Sequence, residues 1–258
     1  MLIKPPPRLA IDSEAVLKAA VSRISQPERR NFLGRSFTLG GLAMLTGCTL
    51  GGESSVETAL SRISRMNDKV QGWLFDPNRL APTYPESMIT RPFPFNAYYS
   101  EGEVRKVEEG NYRLEVTGLV ADKRKWALSE LRAMPQIDQV TRHICVEGWS
   151  AIGKWGGVSF AGFLRQVGAD LSAKYVGFKC ADDYFTSIDM PTALHSQTIL
   201  ALTYDGQPLP PKYGFPMKLR MPTKLGYKNP KHIQAIFVTN TYPGGYWEDQ
   251  GYNWFGGS

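Results

Sequence analysis

The chain has 258 residues, of which 42% are hydrophobic, 12% aromatic and 21% charged, with 25 Gly and 18 Pro; it can bury a substantial core, which excludes a disordered tail, a mini-protein and a coiled coil. No run of about 18 or more uncharged apolar residues occurs, which excludes an ordinary membrane-spanning helix. The net charge of +6 does not mark a nucleic-acid binder: residues 1–47 hold seven basic and three acidic residues, and no basic stripe interleaved with aromatics follows.

The first segment, 1–48, reads as an address. Arg29 and Arg30 precede Phe32, Leu33 and a mildly apolar run that closes at Leu45-Thr46-Gly47-Cys48, the order of a signal peptide. Paired arginines in that position resemble a bacterial twin-arginine export signal, a route used largely by proteins that fold around a cofactor first. The expected location is therefore periplasmic. Leu45 to Cys48 also resembles a lipoprotein processing box, in which Cys48 would be acylated and hold the protein at a membrane surface. A basic amphipathic helix ending at a Gly-rich loop is the plain alternative. Cys145 and Cys180 then remain, and in an exported protein such a pair suggests a disulfide unless one of them ligates a metal.

Residues 49–89 hold a helix and a lead-in. Val56, Leu60, Ile63 and Val70 predict an amphipathic helix from 53 to 70, on the outside of the domain or as a spacer from a membrane. Five prolines between 76 and 96 predict an irregular stretch. Residues 90–258 read as one domain. Strands are predicted at 112–116, 139–146, 175–179, 198–204, 217–221 and 233–239, and short helices at 129–132 and 160–167. Gly153, Gly156 and Gly157 read as a Gly-rich turn. Short helices and scattered strands give an α+β fold.

Cys145 ends a predicted strand, and Glu147 follows two residues on. A thiolate is a strong soft donor, and a bound metal removes its proton outright, so this end of a strand suits a metal at a cleft. Zinc is disfavoured, because His143 is too close in sequence and His195 and His232 are isolated. Taken alone, the stretch fits equally well a buried Cys acting as a small hydrophobe.

Three further motifs accompany it. They are Asn96-Ala97-Tyr98-Tyr99-Ser100, the run Gln207 to Leu219, and Gly226-Tyr227-Lys228-Asn229-Pro230-Lys231-His232-Ile233. Together with Cys145-Val146-Glu147-Gly148-Trp149-Ser150, in this order, they resemble the molybdopterin-binding domain of the sulfite oxidase superfamily, and are most similar to its exported protein-methionine-sulfoxide reductase catalytic subunits. The resemblance implies a sulfite-oxidase-type fold of mixed β-sheets and short helices. No room is left after Thr239 for the immunoglobulin-like domain that dimerises larger members, so a monomer is expected.

The resemblance also implies roles. Cys145 would be the single protein thiolate on molybdenum. Asn96, Tyr99 and Ser100 would line the cofactor and the metal's open side, although the family often has Glu at the Ser100 position. Cys180 would pack against the pterin. Tyr213 and Lys218 would contact the cofactor where relatives show Asn or His, and Arg; Lys218 keeps the charge and loses the bidentate fork. Lys228, Asn229 and Lys231 would take the phosphate. Without the resemblance, Lys224, Lys228 and Lys231 pass as a solvated basic loop.

Sulfite-oxidising members carry arginines just after the metal-binding Cys, where this chain has Val146, Glu147, Gly148 and Trp149. A carboxylate and an indole suit a neutral S=O or N=O acceptor, free or protein-bound, with Glu147 or a bound water managing protons. The expected reaction is reduction of a sulfoxide or N-oxide, protein methionine sulfoxide among them. Sulfite or nitrate chemistry on the same scaffold, and a cofactor-free envelope binding lipoprotein, are the alternatives. Cys-x-x-Cys-His is absent, so no haem is expected; electrons would come from the membrane haem-containing quinol-oxidising partner that the family implies. The aromatic run Tyr242 to Phe255 reads as a packed tail, with Trp247 and Tyr252 at the border of a substrate funnel.

Overall fold

Alternating burial along the strands builds two sheets. In a computed structural model the described residues are 53–258; Arg29, Arg30 and Cys48, which carry the export and lipidation expectations, lie outside them. One sheet combines β1 (Arg113–Gly118), β2 (Lys125–Ala127), β5 (Tyr175–Cys180), β6 (Phe185–Asp189) and β10 (Ile233–Thr239) in the order β2-β1-β10-β5-β6. Only β1 and β10 run parallel, so the sheet is mixed. Leu114 and Val116 on β1 face the main core, while Arg113 and Glu115 face solvent.

The second sheet is antiparallel: β3 (Gln136–Ile144), β4 (Ser150–Ser159), β7 (Ile199–Tyr204), β8 (Gln207–Pro208) and β9 (Lys218–Arg220), with β7 pairing β4, β8 and β9. The buried face of β3 is polar, carrying Gln139, Thr141 and His143. On β9 the apolar flanks Met217 and Met221 and the central Leu219 enter the main core, which sends Lys218 and Arg220 to the other face.

The Gly-rich stretch after Cys145 is a ten-residue strand and not a turn. The glycines permit close approach there: a Cβ on Gly157 would lie 2.0 Å from the Leu200 carbonyl oxygen across the ladder. Only residues 145–149 turn. The structure also adds β2, β6 and β8, which lack a clear period of two.

The long helix α1 (Glu53–Leu74) runs one turn beyond its predicted end. Residues 75–112 hold 3-10 turns at Glu86–Met88 and Glu101–Glu103 and an isolated bridge from Thr83 to Thr141, with no helix or strand of their own, as the prolines predict for 76–96. Three short helices follow: α2 (Leu128–Ala133), α3 (Phe160–Gln166) and α4 (Met190–Leu194). Glu130 Oε2 accepts the Ala127 N–H at 2.8 Å, Ser159 Oγ the Gly162 N–H at 3.2 Å, and Asp189 Oδ1 the Thr192 N–H at 2.8 Å. These caps satisfy donors that a short helix leaves open. Ser61–Ser258 forms one compact unit that takes in the Pro-rich lead-in. A second, smaller core gathers Phe93, Trp155, Tyr204, Leu209 and Tyr213.

Candidate functional site

A cleft of about 260 Å³ opens where loops from both sheets converge. The β3–β4 turn brings Cys145 and Glu147, β9 brings Lys218, and the loop 226–231 brings Gly226, Asn229 and Lys231. Asn96, Tyr98 and Tyr99 form the facing wall, with Asp182 and Tyr184 from the β5–β6 turn and Trp247 and Tyr252 beyond them.

The register of β3 and β4 places Cys145. Its N–H donates to the Trp149 carbonyl at 2.9 Å, and the Gly148 N–H donates to the Cys145 carbonyl at 3.2 Å, which closes the hairpin. Sγ lies 3.8 Å from Glu147 Oε2 and 4.0 Å from Asn96 Oδ1. Burial raises the thiol's pKa, and the Glu147 carboxylate adds to the penalty on the thiolate. A metal cation would reverse this preference. Cys145 and Cys180 are both free thiols.

Behind the thiol, Asn96 Nδ2 and His143 Nε2 are 2.9 Å apart. Burial, with Lys218 and Arg220 adding to it, holds His143 well below the ordinary histidine range, so the ring is neutral and Nε2 accepts from the amide. Nδ1 then carries the proton and is buried with no partner among the described residues. Gly226 lies directly against this pair: a Cβ there would meet Asn96 Nδ2 and His143 Nε2 at 2.8 Å.

Three cations stand at or just behind this floor with no ion pair among the described residues, although Asp182 of the same cleft acts on Lys231 as a partial counter-charge. Lys218 is 3% exposed, and no hydrogen bond holds its ammonium among the described residues; Nζ lies 5.2 Å from the Trp155 ring centroid. Arg220 is fully buried, donates to the Arg142 carbonyl at 2.7 Å and Thr141 Oγ1 at 3.1 Å, and leaves Nε unpaired. Lys231 donates to the Lys212 carbonyl at 3.2 Å and sits 4.4 Å from the Phe95 ring centroid. Burial lowers Lys218 well below the usual lysine range, Arg220 to about 9 and Lys231 to about 8. Buried cations without counter-charge are costly, and an anionic ligand relieves that cost.

Of the residues singled out in the sequence, the cleft gathers Asn96, Tyr99, Cys145, Glu147, Lys218, Asn229 and Lys231. Asn229 acts within the protein: Oδ1 accepts the Met221 N–H at 2.7 Å, and Nδ2 donates to the Leu225 carbonyl at 3.0 Å, which shapes the loop. Four others are not on its lining. Exposed Ser100 donates to Glu103 Oε2 at 2.7 Å and starts a 3-10 turn. Cys180 packs in the main core, immediately behind Asp182 and Lys231 of the cleft, and burial lifts its pKa far up. Tyr213 belongs to the second core, its hydroxyl donating to the Phe93 carbonyl at 2.8 Å. Lys228 is bonded to Glu248 and to Thr186 Oγ1.

In the sequence His143 entered only as a disfavoured zinc ligand and Tyr98 only within its motif, and Arg220, Asp182 and Tyr184 carried no expectation. A signal for Arg220 existed: it stands two residues from Lys218 in an otherwise apolar strand, so both share one face. The role of Asp182, which accepts from Tyr99 Oη at 2.7 Å, had no local signal.

A buried thiol in the cleft, with the buried and unpaired Lys218 ammonium on the same lining, fits a protein built around an anionic, metal-bearing prosthetic group. Among the described residues no cluster of three or more His, Cys, Asp or Glu could hold a metal by itself. The oxidoreductase molybdopterin-binding domain family matches residues 101–247. Over 251 residues the chain is 71% identical to the "Putative protein-methionine-sulfoxide reductase subunit YedZ1" of Azospira oryzae, covering 96% of each chain. It is 29% identical over 161 residues to the protein-methionine-sulfoxide reductase catalytic subunit MsrP of Ralstonia nicotianae, covering 56% of this chain and 49% of that one. The solved structure of the sulfane dehydrogenase SoxCD from Paracoccus pantotrophus superposes with a TM-score of 0.50 at 18% identity, over 54% of this chain and 40% of that chain, a likeness of fold. The chain belongs to the oxidoreductase molybdopterin-binding domain family. It is a molybdopterin-binding oxidoreductase of the sulfite-oxidase-type fold, and the donor set of the cleft fits that cofactor.

Proposed function

We propose that this chain is the catalytic subunit of an exported molybdenum enzyme that reduces a sulfoxide or N-oxide, with methionine sulfoxide in oxidised protein as the candidate substrate. The observation that carries this reading is the charge beside Cys145. Glu147 Oε2 stands 3.8 Å from Sγ, and the turn contributes no cation with which to hold sulfite. The names of the relatives support the same substrate class.

Cys145 Sγ would hold the molybdenum, and Lys218, Lys231 and the backbone of loop 226–231 would hold the anionic part of the pterin. Asn96, oriented by His143, would border the metal's open side. When bound, the cofactor supplies two-electron oxygen-atom transfer. Reduction of a sulfoxide consumes two electrons and two protons and releases a sulfide and water. Glu147 Oε2 accepts the Trp149 Nε1–H at 2.9 Å, and this carboxylate would take up a solvent proton and pass it to the oxygen that leaves as water. Tyr98, Trp247 and Tyr252 give the cleft an aromatic border suited to an uncharged side chain.

Electrons would arrive one at a time from a membrane haem-containing quinol-oxidising partner. The twin-arginine and processing-box motifs before residue 49 support a periplasmic location with Cys48 as a lipid anchor. The test is the exported, cofactor-loaded protein, assayed with a reduced viologen against methionine sulfoxide, trimethylamine N-oxide and dimethyl sulfoxide, and with ferricyanide against sulfite. Turnover of a sulfoxide or N-oxide with little sulfite oxidation is expected. Rapid sulfite oxidation without oxide reduction would overturn the reading.

A further inference from the structure

Helix α1 rests on the domain by its polar side. Asp68 Oδ1 accepts from Asn253 Nδ2 at 2.7 Å and from the Phe255 N–H at 3.0 Å, and Gly72 lies against the Phe255 ring. Phe75, just past the helix, meets the same ring at 5.6 Å between centroids. The opposite side carries Ile63, Met66, Val70 and Trp73, with Leu74 at its edge beside a cavity it lines with Phe75 and Phe255; in that order the five are 58%, 61%, 45%, 81% and 67% exposed.

At 3.6 residues per turn these five fall within an arc of about 100°, centred about 160° from the packed side. Amphipathic helices of soluble domains ordinarily bury the apolar arc, and a contiguous exposed apolar strip of this kind marks an interaction surface. The helix is not a span, since none among the described residues is long and apolar enough to cross a membrane.

Charge selects the occupant. Arg62 and Lys69 flank the strip on its Trp73 side, and no carboxylate pairs with either among the described residues. Asp68, a carboxylate of the same stretch, is turned inward to Asn253 and Phe255. An apolar strip with an exposed indole and a cationic flank matches the boundary between lipid headgroups and acyl chains in an anionic bilayer. A second copy of the helix would offer those cations no carboxylate on this face.

We propose that α1 is a membrane-surface helix, with its Ile63-to-Leu74 strip seated at the headgroup boundary of an anionic bilayer and Arg62 and Lys69 meeting lipid phosphates. The inference rests on α1 alone and is independent of the reaction proposed for the cleft.

The test is cosedimentation of the full cofactor-loaded chain with phosphatidylcholine vesicles and with equal mixtures of phosphatidylcholine and phosphatidylglycerol. Every variant keeps residues 1–52, so any binding by that segment is common to all. V70D/W73D is expected to lower partition into mixed vesicles on the order of tenfold or more. R62E/K69E is expected to lower binding to mixed vesicles and to leave the weaker binding to neutral ones unchanged. Circular dichroism and cleft activity should match the parent, because these side chains face solvent. Unchanged vesicle binding in V70D/W73D overturns the proposal. So does a V70D/W73D variant that turns an oligomer into a monomer while still sedimenting with vesicles, since a second copy would then be the occupant.

Discussion

Lys228 and Glu248 face each other as an ion pair in which both side chains are 1% exposed. Thr186 Oγ1 completes the group, donating to Glu248 Oε1 at 2.7 Å and accepting from Lys228 Nζ at 3.1 Å. The pair ties the cleft loop to the C-terminal aromatic run and to β6. Burial pulls the Lys228 pKa down, and Glu248 pulls it back up.

Breaking that pair is expected to be costly for folding and neutral for the cleft. Lys228→Ala strands a buried carboxylate and should destabilise by about 3–5 kcal/mol in urea unfolding. Replacing both partners with apolar side chains, Lys228→Met with Glu248→Leu, should recover most of that loss. Cofactor content per folded molecule should stay at the parental level. A stable Lys228→Ala that has lost its cofactor would instead place the ammonium in the cleft.

Lys218 predicts the reverse pattern. Its ammonium is buried without a hydrogen bond or carboxylate among the described residues, so Lys218→Met should leave the cofactor-free chain as stable as the parent, or more so by about 1 kcal/mol. The same variant should retain much less molybdopterin, and Lys218→Arg should restore part of it. Unfolding of the cofactor-free protein and pterin fluorescence after denaturation measure the two effects. Loss of stability with full cofactor content would assign Lys218 to the fold.

Cys145→Ser is expected to fold, since the hairpin is closed by backbone bonds of residues 145, 148 and 149. Metal analysis of protein exported from a molybdopterin-producing host should give near-stoichiometric molybdenum in the parent and a depleted or spectrally altered centre in the variant. Folded parent protein without molybdenum would favour a binding role.

The pH dependence follows from Lys231. Burial takes its pKa to about 8 from the ordinary 10.5. Between those values the unfolded chain holds a proton that the folded chain lacks, so this group makes cofactor-free stability rise with pH across that window. An anionic phosphate favours the ammonium, so cofactor retention should weaken as pH rises through about 8. Thermal unfolding without cofactor and cofactor release with it, each followed from pH 7 to about 10, should therefore move in opposite directions. Lys231→Met should flatten both trends, and parallel trends in the parent would refute the assignment.

Much of the local structure was legible. The strands at 175–179, 198–204 and 233–239 and the helices at 129–132 and 160–167 lie where their patterns put them, because apolar periodicity and breakers act over a few residues. β4 was hidden by Gly153, Gly156 and Gly157. A glycine that admits a neighbouring backbone and a glycine that turns a chain look the same in one dimension.

The motif order from Asn96 to His232 and the thiol two residues before Glu147 needed no coordinates, since a ligand on a strand end and its neighbouring carboxylate are set by short spacing. The tertiary structure alone decided which ammonium faces the cleft. Lys228 and Lys231 are chemically identical and three residues apart, yet one meets Glu248 and the other borders the cleft. It also decided that Tyr213 and Cys180 pack in cores and that α1 turns its apolar strip outward. Burial and Coulomb energy depend on distances between residues remote in the chain, and those distances exist only once both sheets and the C-terminal run have come together.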